Sequence, residues 1–253
     1  MSSYLSHNRR KRFQRGVAAF DIFGNRSRTF DAVNNDYIVL PNTRAAYKFI
    51  QETKLFTVSS WIKIDSSVFN SGGFNVFSGN KGGTSSDNGF VFAFDDRGTG
   101  KTNSILFYIN HGAGGTSYDI LLVDSVLPND GQWHHIAVSG GGAGGNITLY
   151  IDGILIPAAT SPIAFTGSYV DSDYDLQIGN WEHTAHGMLG GMADFRIYNN
   201  ELSSLDISNL YNGTNITTDL IGHWLIDSDD VIDHAGTNDG TNFGSVYSTD
   251  SPS

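Results

Sequence analysis

The chain has 253 residues, of which 39% are hydrophobic and 12% aromatic, and its formal net charge at pH 7 is −11. A chain of this length and apolar content can bury a sizeable core, which argues against an intrinsically disordered protein. It contains no cysteine, and this excludes disulfides, cysteine-ligated zinc and thiol catalysis. No run of 18 apolar residues occurs, so the sequence predicts no membrane insertion.

The positive charge is concentrated at the N-terminus. Five of the 15 basic residues lie in the first 15 positions, where no acid occurs: Arg9, Arg10, Lys11, Arg12 and Arg15. The net charge of −11 therefore divides into +5 for this arm and −16 for the rest. Such an acidic body repels nucleic acid and anionic membranes, so nucleic acid is expected as a partner only through the arm. The pattern predicts a basic arm over residues 1–20 that contacts an acidic neighbour, such as another copy of this chain, or another anion.

After the arm, short apolar segments of strand length alternate with Gly, Asn, Asp and Ser. Two strands flank the turn in RTFDAVNNDYIVLP, and an alternating strand occupies LFTVSSWIKI. Further strands are predicted in FNVFSGN, GFVFAFDD, SILFYIN, YDILLVD, YDLQIGN, MADFRIYN and DLIGHWLID, and QWHHIAVS and NITLYIDG form a hairpin across a glycine-rich turn.

Only LSSLDISNLYNG is typical of a helix, with Ser203 as its cap and Gly213 at its end. Ten or more strands with one short helical turn predict an all-β fold, a two-sheet antiparallel sandwich or jelly roll. No break in composition suggests a linker, so residues 21–253 are interpreted as a single domain.

The adjacent histidines His134 and His135 raise the question of a metal site. Side chains of neighbouring strand residues point to opposite faces, so the two cannot chelate one metal as a pair. Alternation places His135 with Trp133 and Ala137, and His134 with Ile136. We therefore interpret both histidines as packed, hydrogen-bonded residues of the sheet.

The same stretch carries a family resemblance. DGQWHHIAV, a turn and then ITLYIDG resemble the central hairpin of the laminin-G-like domains, which belong to the concanavalin A-like lectin/glucanase superfamily. FDAVNNDYIVLP and FTVSSWIKI resemble the opening strands of that family, and LQIGN followed by GMLGGMADFRIYNNELSSLDISNLYNG resembles its closing strand and helical turn. The resemblance covers roughly residues 29–213 and implies a jelly roll of two antiparallel sheets.

The C-terminal segment departs from the family pattern. LIGHWLIDSDDVIDHAGTNDGT is similar to a stretch that usually precedes the opening strand, but here it comes last. Either a permuted strand closes the sandwich, or the segment mimics the start of an absent second domain. Closure is favoured, because the strand containing Trp224 is apolar enough to require burial and uncovered sheet edges are a liability. We expect this strand to pair near the opening strand around Phe30.

The resemblance also bears on catalysis. The glucanases of the superfamily carry paired carboxylates on one strand, and a retaining pair must lie about 5 Å apart. This chain has three glutamates, Glu52, Glu182 and Glu201, far apart in the sequence. The alternating acids of DSDYD lie in a stretch typical of a solvated loop. The sequence therefore predicts a protein that is not an enzyme.

A structural calcium ion is a further implication of the resemblance. Related jelly rolls often hold calcium through an Asp of the penultimate family strand and groups near the opening strand, and the matching positions here are Asp194 with Asp31 or Asp36. Short carboxylates suit oxygen-coordinated ions. The alternative is that Asp194 is a hydrogen-bonded residue paired with Arg196.

The loop NWEHTAHGM is the predicted ligand-binding segment. It carries Trp181, Glu182, His183 and His186, and a tryptophan among polar loop residues is a usual platform for stacking a sugar. The alternative is that the loop packs on its own sandwich or on a neighbouring subunit.

Three functions compete. The main prediction is a non-catalytic surface, decoration or fibre protein of a virion, tethered by the basic arm to other virion proteins or to copies of itself. This prediction rests on the N-terminal arm, which lacks the apolar region of a signal peptide. A virion protein needs no signal peptide, because it reaches the exterior by cell lysis. The alternative is a soluble or cell-surface lectin-like module that binds glycans. A glycan-active enzyme is the third. The expected location is the virion surface or the extracellular space.

Overall fold

The computed structural model describes residues 26–82, 88–98, 102–111, 117–162, 172, 174–181, 186–228 and 230–252. The basic arm lies outside these residues. The described part contains fifteen strands: β1 (Ser27–Phe30), β2 (Tyr37–Leu40), β3 (Leu55–Ile64), β4 (Phe74–Gly79), β5 (Gly89–Asp95), β6 (Ser104–His111), β7 (Ser117–Val123), β8 (His134–Gly141), β9 (Asn146–Ile151), β10 (Ile154–Pro162), β11 (Leu176–Ile178), β12 (Gly190–Tyr198), β13 (Leu220–Trp224), β14 (Thr241–Phe243) and β15 (Val246–Ser248). The predicted all-β class is confirmed.

The strands form two antiparallel sheets that pack face to face. Sheet A has the order β10-β9-β8-β3-β12-β1-β15, with β13 also paired to β12, and sheet B has the order β14-β2-β11-β4-β5-β6-β7. Alternation along β3 explains the packing: Phe56, Val58 and Ile62 are fully buried in the core between the sheets. Burying side chains of this size stabilises the fold by roughly 1.5–3 kcal/mol each.

Helical structure in the described residues is limited to α1 (Phe49–Glu52), α2 (Ser204–Tyr211) and a 3-10 turn at Ser66–Val68. The Ser203 hydroxyl accepts a hydrogen bond from the Asp206 backbone N–H at 3.1 Å, and Gly213 follows with a φ of +80°. The capped helix is thus placed as its sequence predicts. The turn α1 was not predicted, because it is four residues long and has no side-chain cap.

The C-terminal strand β13 closes the sandwich, although its partner differs from the expected one. Trp224 is fully buried and lies opposite Phe195 of β12, whereas the sequence suggested pairing near the opening strand. The reason is the length of β12. This strand has nine residues, and along one of its edges it pairs with β1 at Gly190–Met192 and with β13 at Phe195–Tyr198.

The short strands β14 and β15 complete the edges of both sheets. β15 pairs with β1, with Ser27 opposite Ser248, and β14 pairs with β2, with Ile38 opposite Asn242. Neither strand was predicted, because each is three residues long within a polar segment; β10, which contains proline and alanine, was also missed. No helix in the part of the chain that the structure describes is long and apolar enough to cross a bilayer.

Candidate functional site

The predicted ligand loop contributes Trp181 to an aromatic cluster on the outer face of sheet B. Trp181 is 8% exposed, and its ring meets those of Phe74 at 5.6 Å and His186 at 6.2 Å. The Lys81 ammonium lies 5.2 Å from the indole centroid. Trp181 therefore packs against its own sandwich and does not present an open stacking face. Glu182 and His183 lie outside the described residues, and the role of this loop in binding stays a prediction.

The surroundings of His186 explain its electrostatics. Burial lowers the pKa of His186 below its usual value, and the positive charge of Arg97 lowers it further. Arg97 itself lies over the ring of Phe74 at 3.9 Å and forms an ion pair with Asp95 at 2.9 Å. His186 is therefore a neutral packing residue near pH 7.

The predicted calcium ligands are held in two different environments. Asp36 accepts a hydrogen bond from the backbone N–H of Asp31 at 2.9 Å, while Asp31 accepts one from the backbone N–H of Val33 at 2.8 Å. The carboxylate of Asp194 is bonded to Arg196. Within the described ranges, no group of three or more His, Asp or Glu side chains is arranged to hold a metal ion. Calcium binding stays a prediction that chelation can test.

Asp194 lies at a β-bulge of β12, with a φ of +53°. Its Oδ1 accepts a hydrogen bond from Arg196 Nε at 2.9 Å and lies 2.7 Å from His223 Nε2. Burial by itself would raise the pKa of Asp194, but Arg196 and His223 outweigh it and hold that pKa below its usual value. Asp194 is therefore a buried, ionised partner, as the alternative interpretation proposed. His223 was missed because it belongs to another strand.

The two adjacent histidines face opposite ways. His134 lies between Asp152, whose Oδ2 is 2.8 Å from Nδ1, and Asp130, whose Oδ1 is 3.2 Å from Nε2. His135 is buried, with its ring 5.5 Å from that of Trp61, and burial lowers its pKa to about 4. As alternation predicts, the two rings lie in different surroundings on opposite faces of the strand.

Replacement of His134 with glutamine is expected to destabilise the fold more in acid than in base. The hydrogen bond that His134 donates to Asp152 raises the pKa of His134 most, and burial opposes this effect only partly. Its stabilising contribution is complete below the unfolded-state pKa of about 6.5 and is lost as the pH rises through the raised folded-state pKa. Urea denaturation should show a loss of about 1–2 kcal/mol at about pH 5.5 that shrinks in alkaline buffer. An equal loss at both pH values would contradict this.

A groove that the sequence did not reveal opens beside α1 and β13. Its volume is about 460 Å³, within the range of small-molecule sites. The lining residues come from segments far apart in the sequence: Ala46, Tyr47, Phe49, Thr53, Leu55, Asn199, Ile221 and Asn238. None of these residues is an acid or a base that is charged at neutral pH. The only titratable side chain among them is that of Tyr47, and burial and the nearby Asp233 carboxylate raise its pKa above the usual value.

Asn238 fixes one wall of this groove. Its Nδ2 donates to Tyr47 Oη at 3.3 Å, and its backbone oxygen accepts the indole N–H of Trp224 at 3.0 Å. Its own backbone N–H donates to Asp233 at 3.1 Å. The side-chain amide of Asn199 and Oδ1 of Asn238 make no hydrogen bond to any residue that the structure describes. The groove thus offers unused amide groups beside a rigid aromatic wall.

Comparison with known proteins gives one family match and several similar folds. The Laminin_G_3 model, described as concanavalin A-like lectin/glucanases superfamily, matches residues 32–208. No curated protein matches the chain.

Among solved structures, a proposed carbohydrate-binding protein of Bacteroides ovatus has 17% identity and a TM-score of 0.61, with 90% of this chain and 61% of that chain covered. The binding domain of botulinum neurotoxin serotype D has 22% identity and a TM-score of 0.51, with 70% and 39% covered. The chain thus spans less than two thirds of either protein, and these identities show a shared fold.

Proposed function

The chain belongs to the concanavalin A-like lectin/glucanases superfamily through its Laminin_G_3 domain, and on this basis we propose that it is a lectin-like domain that binds glycans without cleaving them. The family match confirms the resemblance predicted from the motifs. The similar folds of the proposed carbohydrate-binding protein and of the botulinum neurotoxin binding domain support the proposal by analogy.

The observation that carries the proposal is the uncharged groove beside α1. A neutral sugar presents C–H groups on one face and hydroxyls around its edge. The partly buried ring of Phe49 can pack against the C–H groups, and the amides of Asn199 and Asn238 can form hydrogen bonds with the hydroxyls. Because Asn238 is fixed by three hydrogen bonds, little ordering is needed when a ligand binds.

The same lining supports a non-catalytic role. Glycoside hydrolysis needs two carboxyl groups on either side of the scissile bond. The groove is lined by no aspartate or glutamate, so a sugar bound there meets neither a general acid nor a nucleophile. Binding without turnover is the expected outcome for this site.

Two substitutions in the groove test the proposal. Phe49→Ala and Asn199→Ala should each weaken binding of a neutral oligosaccharide, identified first on a glycan array, by about tenfold in titration calorimetry, which corresponds to about 1.4 kcal/mol. Val33→Ala, at a position 89% exposed and outside the groove lining, is the matched control and should leave affinity unchanged. Full affinity in both groove variants would show that glycans do not bind here.

The virion-surface role is a separate proposal that rests on residues 1–20. Co-purification with a larger particle tests it: deletion of residues 1–15 should abolish incorporation and leave the melting temperature of the sandwich unchanged. Normal incorporation of the shortened protein would contradict it.

A further inference from the structure

A second cleft lies on the outer face of sheet A, around Trp133. Its volume is about 300 Å³. The lining residues come from β1, β3, β12, β15 and their adjoining loops: Ser27, Thr29, Lys63, Ile64, Asp65, Ser66, Gly131, Trp133, Gly190, Gly191, Ser248 and Asp250. None of them lines the groove beside α1. The two cavities are therefore separate.

The indole of Trp133 is held in place from two sides. Its Nε1 donates to Asp250 Oδ1 at 3.1 Å, and the other oxygen of Asp250 accepts a hydrogen bond from Lys63 Nζ at 2.7 Å. The ring edge lies directly over Gly191, where an added Cβ would come within 2.7 Å of Cη2. The partly buried ring therefore forms a fixed aromatic wall.

The charges of the cleft are unbalanced. It contains one cation, Lys63, which is paired with Asp250, and a second carboxylate, Asp65. Asp65 Oδ1 accepts hydrogen bonds from the Ser67 backbone N–H at 2.9 Å and hydroxyl at 2.6 Å. These bonds hold the pKa of Asp65 below its usual value, so that it is ionised near pH 7. The net charge of the cleft is thus −1.

Each of the groups that remain available can accept a hydrogen bond. Asp65 Oδ2 has no hydrogen-bond partner within the described segments, and neither do the hydroxyls of Thr29 and Ser66. An anionic ligand would meet uncompensated negative charge, whereas an ammonium group would gain both the Asp65 carboxylate and the Trp133 ring. The chain beyond the arm, with its formal charge of −16, attracts cations over a longer range.

We propose that this cleft binds a saccharide that carries a free amino group. The ammonium lies beside Asp65 and Trp133, and Thr29 and Ser66 receive the ring hydroxyls. The site is independent of the uncharged groove and selects a different class of sugar.

Two oligosaccharides that differ only in whether their nitrogens are free amines or neutral acetamides provide the test. Titration calorimetry at about pH 6, where a primary amine is protonated, compares a glucosamine trimer with the N-acetylglucosamine trimer. We expect the amino trimer to bind about tenfold more tightly, with a preference that falls as salt is added. Asp65→Asn, which retains an oxygen acceptor for Ser67, should remove the preference, and Trp133→Ala should remove binding of the amino trimer. Melting curves confirm that both variants fold.

Each contrary result has a definite meaning. Equal affinity of the parent protein for the two trimers, or an unchanged preference in Asp65→Asn, overturns the proposal. Phe49→Ala serves as the reference variant and should leave binding of the amino trimer intact. If Phe49→Ala abolishes that binding, the amino sugar occupies the uncharged groove, and the proposal for the cleft fails while glycan binding stands.

Discussion

Replacing Trp224 with alanine is expected to lower the free energy of unfolding by about 3–5 kcal/mol, a large part of the stability of an ordinary domain. The side chain is fully buried between the sheets, and its ring packs against those of Phe195 at 5.8 Å and Tyr47 at 6.4 Å. Its removal also leaves the backbone oxygen of Asn238 without its indole donor. Chemical denaturation measures the loss.

Two further variants separate the effect of core packing from a general sensitivity of the protein to substitution. Trp224→Phe keeps an aromatic ring and loses the hydrogen bond to Asn238, so it should cost less than the alanine variant. Ile154→Ala, at a position 67% exposed, should change stability by less than about 0.5 kcal/mol. A fully cooperative, unchanged transition in Trp224→Ala would show that β13 does not close the core.

The second large effect is expected at Asp194. Asp194→Asn should destabilise the protein by about 3 kcal/mol, because it leaves the guanidinium of Arg196, which is 1% exposed, without its opposite charge. If this pair explains the loss, Asp194→Asn combined with Arg196→Met should be more stable than the sum of the two single effects predicts. Additive losses would contradict that explanation.

Chelation separates this pair from the predicted calcium ion. A cation that binds only the folded state raises the melting temperature, so a chelator should lower it in the parent protein if calcium is held. An unchanged melting temperature together with a destabilised Asp194→Asn variant would assign Asp194 to the Arg196 and His223 network alone.

Most of the architecture could be predicted from the periodicity of the strands. The alternation in LFTVSSWIKI correctly predicted a strand, in which Phe56 and Val58 are found to face the core, and the glycine turn correctly predicted the hairpin of β8 and β9. Both features are local, since they depend on neighbours within ten residues. For the same reason, Ser203 could be recognised as a helix cap from its own segment.

The candidate sites depend on residues that are distant in sequence. Tyr47 and Asn238 form one wall, although 191 positions separate them, and neither stands in a motif that indicates a ligand. The indole of Trp133 is fixed by Asp250, which lies 117 positions away. Trp181 is the opposite case: its polar sequence neighbours suggested exposure, whereas Phe74 and Val91 of sheet B bury it, in agreement with the alternative that this loop packs on its own sandwich. The periodicity of one segment does not indicate which distant segments it contacts in the fold.

The pairing of β1 with β15 has a consequence for how the chain folds. Arg28 of β1 donates to the backbone oxygen of Ser245, 217 positions away. Closing so long a loop costs chain entropy before any stabilising contact has formed, and this makes the step slow. Proteins dominated by distant pairings fold orders of magnitude more slowly than helical bundles. On the ribosome, sheets A and B can pair internally but cannot complete these edges until residues 241–248 have emerged. Until then β1 and β2 present unpaired backbone groups, and this interval is when the nascent chain is most exposed to aggregation.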